Sequence, residues 1–339
     1  RRLLDINRRA RHGVGIQLGF ESMTIVATDT HGGVVARERF AGATDHDPQE
    51  VLRRLVESVN QFIDTAEIPR VSVNGVAVVI PGPLAAGEGI MIDAPMLPNW
   101  AGVSIKAYLE ERLSLPVLVD NDASAAALGE FWSRGISRYS TFASVYIGSG
   151  IGAGVVVDGA LFRGASSNAA EIGHITVDPS GAECFCGNTG CLELVAAPRA
   201  VVARAHGHAT LQSDLGLRDS GSVERNYDLL ARAAVAGNED AAQLVSEGAR
   251  QVAGAVVTFC NLFDLDHVVL TGPGLAAAGS IYTREVRQSL ERAFARRAHP
   301  IEVDLSTNPT DAAAIGAAAL TLQGELAPGH GPKLTFASD

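Results

Sequence analysis

An α/β fold in two halves is predicted by three features of the sequence. Short β-branched runs alternate with longer stretches of helical spacing along the chain. Hydrophobic residues make up 47% of it but aromatics only 5%, the Ala-, Val-, Leu- and Gly-rich mixture usual for buried sheets. The order three strands, helix, strand, helix, strand, helix occurs twice, as topology rather than as repeated sequence. A length of 339 residues suffices for two domains, each with its own core.

Residues 13–40 read as three strands. Val14, Ile16 and Leu18 alternate, then Met23, Ile25 and Ala27, with a turn at His31-Gly32-Gly33. Val51, Leu52, Leu55, Val59, Phe62 and Ile63 take helical spacing across 48–65. Val73–Ile80 is a buried strand ending in Pro81-Gly82-Pro83, where Gly82 is either a point of close backbone approach for a ligand or a plain turn glycine. A short helix over 104–113 and a strand at Val117–Val119 lead to Asp120-Asn121-Asp122, and a helix follows through Glu130 and Phe131. Ligands on open α/β sheets bind at the carboxyl ends of strands. Asp122 is therefore a candidate general base towards a sugar hydroxyl, with Asn121 orienting the substrate. The competing role for either residue is capping of the helix.

A strand at 141–147 precedes the run Gly148-Ser149-Gly150-Ile151-Gly152-Ala153-Gly154, and a second strand spans 154–158. Glycines between two strands let backbone amides converge on a phosphate, although a β-hairpin gives the same pattern. Farther on, the spacing predicts helices over 197–206, 227–236 and 239–263. A strand at 267–271 then ends in Thr271-Gly272-Pro273-Gly274. Helix 280–297, strand 301–305 and helix 311–323 follow, and the Pro- and Gly-rich tail 324–339 is expected to be frayed. On this reading 13–120 form one lobe, with helix 311–323 packing back on it, and 121–310 form the other.

The densest chemistry lies in Glu171–Glu193, EIGHITVDPSGAECFCGNTGCLE. It holds His174, Cys184, Cys186 and Cys191, and so three of the four cysteines of the chain. One imidazole and three thiols suit a tetrahedral zinc ion, and four protein ligands without a vacancy make such a site structural. Gly187 and Gly190 supply the tight turns a metal-wrapping loop needs. The alternative, a disulfide plus a spare thiol, fits poorly with a chain of intracellular character. Fixing His174 and Cys191 on one ion would also hold Glu171 and Glu193, whose carboxylates could accept hydrogen bonds from a small polyol. Both could instead be solvated surface charges.

A formal net charge of −11 leaves the chain without an electrostatic footprint for nucleic acid. No apolar run is long enough to span a membrane and no secretory leader is visible, so the cytoplasm is the expected location.

Asn121-Asp122, GSGIGAG at 148–154, EIGH at 171–174, the CxCGxxGC knot at 184–191 with Glu193, TGPG at 271–274 and DAAAIGAAAL at 311–320 together resemble the ROK family (repressors, open reading frames, sugar kinases). The resemblance covers about 13–323. It implies an actin-like ATPase (ribonuclease H-like) fold with two α/β lobes, a sugar cleft between them and a structural zinc insertion at 171–193. Gly82, Asn121, Asp122, Glu171, His174 and Glu193 would line the sugar pocket. His174, Cys184, Cys186 and Cys191 would bind zinc, and Asp122 would be the catalytic base in a kinase. Gly148, Gly150, Gly152, Gly272 and Gly274 would be what remains of the phosphate loops.

Departures from the family pattern separate its branches. Kinase members open on a motif resembling DIGGT, which serves Mg-ATP; here the place reads Gln17-Leu18-Gly19-Phe20-Glu21. Gln17 offers no carboxylate, and Phe20 and Glu21 put bulk and negative charge where a phosphate would approach. Losing electrostatic stabilisation of phosphoryl transfer costs roughly a hundredfold or more in rate. Met96-Leu97-Pro98 also replaces the family's Asn-Leu-Pro. The family's repressors share a kept sugar pocket, a degraded first phosphate loop and a basic linker from an N-terminal winged helix-turn-helix. Residues 1–12, with RRLLDIN at their start, resemble that linker and imply a DNA-binding domain upstream. The expectation is therefore the effector-binding and oligomerisation region of a sugar-responsive regulator, a homodimer or homotetramer that reads a sugar or sugar phosphate. The competing readings are an ATP-dependent, glucokinase-like sugar kinase and a zinc-stapled scaffold with an empty cleft.

Overall fold

The structure, a computed structural model, describes residues 7–43, 47–85, 87–92, 97–134, 141–218, 221–294 and 299–326. They divide into two compact units. The first holds the described residues up to Arg134, Gly159–Ala169 and those from Asp311 on; the second holds Thr141–Asp158 and Ala170–Thr310.

In the first unit, β1 (His12–Leu18), β2 (Ser22–Thr28) and β3 (Val34–Ala41) form an antiparallel meander, as the alternating residues require. Helix α1 (Pro48–Thr65) follows, started by Asp47, whose side chain accepts from the amides of Gln49 and Glu50. The six apolar residues expected on one face of α1 are buried, together with Pro48. β4 (Val73–Ile80), buried throughout, runs parallel to β1. A hairpin of two-residue strands, β5 (Leu84–Ala85) with β6 (Ile90–Met91), and α2 (Ile105–Leu113) lead to β7 (Val117–Asn121), parallel to β4. The sheet order is β3-β2-β1-β4-β7. Helix α3 (Asp122–Arg134) then starts directly from the strand end.

The second unit opens with β8 (Phe142–Ile147) and β9 (Ile151–Val157), paired antiparallel. β10 (Ala160–Leu161) lies in the segment assigned to the first unit. Helices α4 (Leu192–Ala196), α5 (Pro198–His206), α6 (Ala209–Leu215), α7 (Val223–Val235) and α8 (Glu239–Phe263) come next. β11 (His267–Thr271) is parallel to β8, α9 (Leu275–Glu291) follows, and β12 (Glu302–Leu305) is parallel to β11. The order β9-β8-β11-β12 thus reproduces β2-β1-β4-β7 of the first unit, antiparallel once and parallel twice.

The final helix, α10 (Ala312–Leu326), packs on β1, β4 and α3. Its residues from Ala312 to Gln323 are all buried, so this stretch has no solvent face. Small residues make room for it. A Cβ at Gly15 would stand 2.0 Å from the Ala314 carbonyl oxygen, and one at Gly316 1.7 Å from that of Ala125 in α3. The helix also runs through Gly324, where a frayed tail was expected; residues 1–6 and 327–339 lie outside the described residues.

Several boundaries differ from the sequence reading, each for a local reason. α3 belongs with the first unit rather than with 121–310, because it packs on α10. The second strand after the glycine run begins at Ile151 rather than 154, since Gly152 and Gly154 pair with Tyr146 and Ser144 in the ladder. α7 begins at Val223 because the Ser222 hydroxyl accepts from the Arg225 amide. α9 begins at Leu275, immediately after the Thr271–Gly274 turn, and α4 and α6 are too short to show a helical period. Among the described residues no helix is long and apolar enough to cross a membrane.

Candidate metal centre and ligand-binding residues

The chain from Glu171 to Glu193 folds as a compact loop on the second unit. A 3-10 turn, Ile172–His174, presents the imidazole, and bridges Thr176–Cys191 and Glu183–Thr189 close the loop on itself. Gly190 has φ 63°, and a Cβ there would lie 1.6 Å from the Asp178 carbonyl oxygen, so only glycine fits. The Asn188 side chain donates to the His174 carbonyl at 3.0 Å, pinning the two halves together.

This geometry gathers His174, Cys184, Cys186 and Cys191, whose donor atoms all lie within 4.8 Å of one another. Cys186 Sγ and Cys191 Sγ are 3.6 Å apart, and Cys184 Sγ is 3.7 Å from His174 Nδ1. A disulfide would bring the sulfurs to about 2.05 Å. A tetrahedral ion with Zn–S of about 2.3 Å and Zn–N of about 2.0 Å separates its ligands by roughly 3.5–3.8 Å. The four residues therefore fit a closed metal site and not a disulfide with a spare thiol. The Phe185 ring stands edge-on to His174 at 5.1 Å and shields one side of it.

Glu193 sits in the first turn of α4, two residues past Cys191. It is buried rather than solvated: Arg199 pairs with one carboxylate oxygen, and the Ile151 amide donates to the other at 3.2 Å. The carboxylate lies against Gly150, where a Cβ would come within 2.5 Å of Oε2. Glu193 thus ties the metal loop to the β8–β9 turn.

Glu171, by contrast, is exposed and follows a strained residue. Ala170 has φ 69°, and the Ile172 amide donates to its carbonyl at 2.7 Å. The left-handed conformation costs a non-glycine residue about 1–2 kcal/mol, offset in a glycine variant by a more disordered unfolded chain. Ala170→Gly is expected to raise the melting temperature by about 2 °C in calorimetry; no rise would mean that no strain resides there.

In the first unit, Asn121 ends β7 and caps α3, its side-chain oxygen accepting from the Ser124 amide at 3.0 Å. Its amide nitrogen points to the Gly82 carbonyl at 3.5 Å, and Gly82 has φ 101°. Asp122 opens α3, half-buried, and its carboxylate accepts from the Ala123 amide at 2.8 Å. Gly82, Asn121 and Asp122 therefore come together at the ends of β4 and β7. Sequence reasoning missed the next layer. Buried Asp120 is held by Arg163 in a two-pronged pair at 3.1 and 2.7 Å and also accepts from the Asn121 amide at 2.9 Å. No spacing rule links residues so far apart in the chain.

The glycine runs resolve as turns. Gly148 donates to the Gly150 carbonyl at 3.0 Å in a short hairpin between β8 and β9, while Gly152 lies inside β9. Gly272, with φ 102°, and Gly274 wrap the end of β8, and the Gly274 amide donates to the Ile147 carbonyl at 2.9 Å. At the start of the chain Gln17 is in β1, and Phe20 packs on the first core. The Gly19 and Glu21 carbonyls accept from the amides of Ala43 and Gly42 at 3.1 and 3.0 Å, fastening this turn down. Leu97 is buried, and Met96 lies outside the described residues.

Two units with matching strand orders define a mixed α/β protein of the actin-like ATPase class. The ROK family profile matches residues 13–324, and the chain belongs to that family. It is 29% identical over 328 residues to a putative xylose repressor of Caldicellulosiruptor sp. strain Rt8B.4, covering 96% of this chain and 82% of that protein. It is also 29% identical over 279 residues to a glucokinase of Thermotoga maritima, covering 82% of this chain and 86% of that one. A ROK glucokinase from Streptomyces griseus, solved with glucose and AMPPNP, superimposes with a TM-score of 0.79 at 27% identity, over 92% of this chain and all of that one. A ROK transcriptional regulator homologous to the Escherichia coli MLC protein gives 0.73 at 25% identity, over 93% and 79%.

Proposed function

We propose that this chain is the effector-binding and oligomerisation region of a ROK-family sugar-responsive transcriptional regulator, acting as a repressor. The observation that carries the reading is the first turn. Gln17, Phe20 and Glu21 stand where a kinase needs an aspartate, a glycine and a hydroxyl, which puts bulk and negative charge where a phosphate would approach. The repressors among the relatives support the same branch.

In this reading Gly82, Asn121, Asp122, Glu171, His174 and Glu193 recognise a sugar or sugar phosphate. The Asn121 side-chain amide can accept from and donate to its hydroxyls, and the carboxylates accept from them. His174, Cys184, Cys186 and Cys191 hold a structural zinc ion, which supplies rigidity and no chemistry. DNA is bound through an upstream winged helix-turn-helix, and the assembly is a homodimer or homotetramer.

The second reading, an ATP-dependent sugar kinase, is favoured by one observation. Asp122 occupies the strand-end position of a general base, in a fold close to that of a nucleotide-bound glucokinase. A coupled assay with glucose, N-acetylglucosamine and mannose separates the two. The expected result is no sugar-dependent ADP release. Asp122→Asn is expected to weaken sugar binding about tenfold by removing a charged acceptor. Turnover in the unaltered protein that disappears in Asp122→Asn would establish the kinase instead.

A further inference from the structure

We propose that Gly159–Ala169 is a positioning strap for ligand recognition, with Arg163 and Asn168 as its two anchoring residues. The inference rests on the sugar-binding reading of Gly82, Asn121 and Asp122 and adds residues to it.

The segment is fastened at three places within the first unit, each beside an element that presents one of those residues. Ala160–Leu161 lies against α3, which begins at Asp122. Arg163 forks onto Asp120 at 3.1 and 2.7 Å. Asn168 spans the backbone of Leu84, accepting from its amide at 2.8 Å and donating to its carbonyl at 3.0 Å, two residues past Gly82. The Asp120 oxygen that receives Arg163 Nη1 also receives the Asn121 amide. One connected set of bonds thus runs from Arg163 through Asp120 to Asn121, and from there towards the Gly82 carbonyl.

Energetics argue that this set orients rather than stabilises. The Asp120 side chain is 6% exposed and that of Arg163 32%. A carboxylate taken out of water recovers little net stability from its partner, and apolar replacements of similar volume are often neutral or better. What a fork onto a carboxylate adds is direction, since two parallel N–H···O bonds fix both planes. That direction passes to Asn121 one residue on. A loop that merely closed the unit would need no such pair, and Asn168 would not have to satisfy both polar groups of a single residue. The strap also continues into Ala170 and Glu171, so the segment that sets the Asn121 end leads directly into a second proposed sugar ligand.

The test uses the full chain and calorimetric titration with glucose, N-acetylglucosamine, mannose and xylose, with melting temperatures measured on the same samples. Arg163→Lys keeps the charge and loses the fork; it is expected to weaken sugar binding several-fold. The paired variant Asp120→Leu with Arg163→Met is expected to melt close to the unaltered protein yet bind sugar at least tenfold more weakly. Asn168→Ala should fall between the two. A folded double variant that binds sugar as tightly as the unaltered protein overturns the strap while leaving the sugar reading intact. Failure of the unaltered protein to bind any of the four sugars overturns the sugar reading and the strap with it.

Discussion

Cys186→Ser is expected to release the metal, lower the melting temperature by about 10 °C and weaken sugar binding by about an order of magnitude. Cys186 is exposed, so the exchange of sulfur for oxygen leaves no hole in a core. The measured loss then reports the ion. Structural zinc in small modules contributes on the order of 10 kcal/mol of apparent binding free energy. Here the loop is also held by the His174–Asn188 bond and by Glu193, so the expected loss is smaller, about 3–5 kcal/mol. At roughly 2–4 °C per kcal/mol for a chain of this size class, that gives the quoted shift. Metal analysis should fall from one zinc per chain to none, and chelation of the unaltered protein should reproduce the variant. Retained zinc, or unchanged sugar affinity without it, would sever the proposed link between the ion and the carboxylates it braces.

Gly316→Val is expected to keep the first unit from assembling. A Cβ at that position would sit 1.7 Å from the Ala125 carbonyl oxygen and 2.3 Å from its carbon. Those are main-chain atoms of α3 that cannot swing aside, so α10 must move off both the helix and the sheet. Losses above about 4 kcal/mol have this kind of origin, and the protein should appear in the insoluble fraction. Gly254→Ala in α8 is the contrast. Nothing lies within 4 Å of a Cβ there, and alanine favours a helix by about 1 kcal/mol. It should raise the midpoint of urea unfolding. If Gly316→Val unfolds at the midpoint of the unaltered protein, the packing described for α10 is wrong.

What the sequence discloses, and what it hides, follows from the range of the interactions. Val14, Ile16 and Leu18 announce β1 because alternation is local, and the α1 residues do so because helical spacing is local. The cysteine loop is equally legible, since its four ligands lie within a short stretch and their chemistry has few other uses. The glycine run misled as to strand limits because flexible residues suit a phosphate loop and a hairpin alike; only pairing with Tyr146 and Ser144 decides. Glu193 reads as a carboxylate tethered for a polyol, but its bonds to Arg199 and the Ile151 amide cannot be read from the sequence. Asp120, Arg163 and Asn168 carry no pattern at all, for their bonds join chain segments that only the fold brings together. The assignment of α3 failed for the same reason, its main partner being the last helix.

That last helix has a consequence for how the protein is made. Its partners, β1, β4, β7 and α3, are all in place by Arg134, yet Ala312 leaves the ribosome about 180 residues later, roughly 10–35 s at ordinary rates of synthesis. During that interval the nascent sheet carries a bare apolar flank bordered by Gly13 and Gly15. Trigger-type chaperones should engage the growing polypeptide there, and nascent chains halted before α10 should be far more sensitive to protease than the finished one.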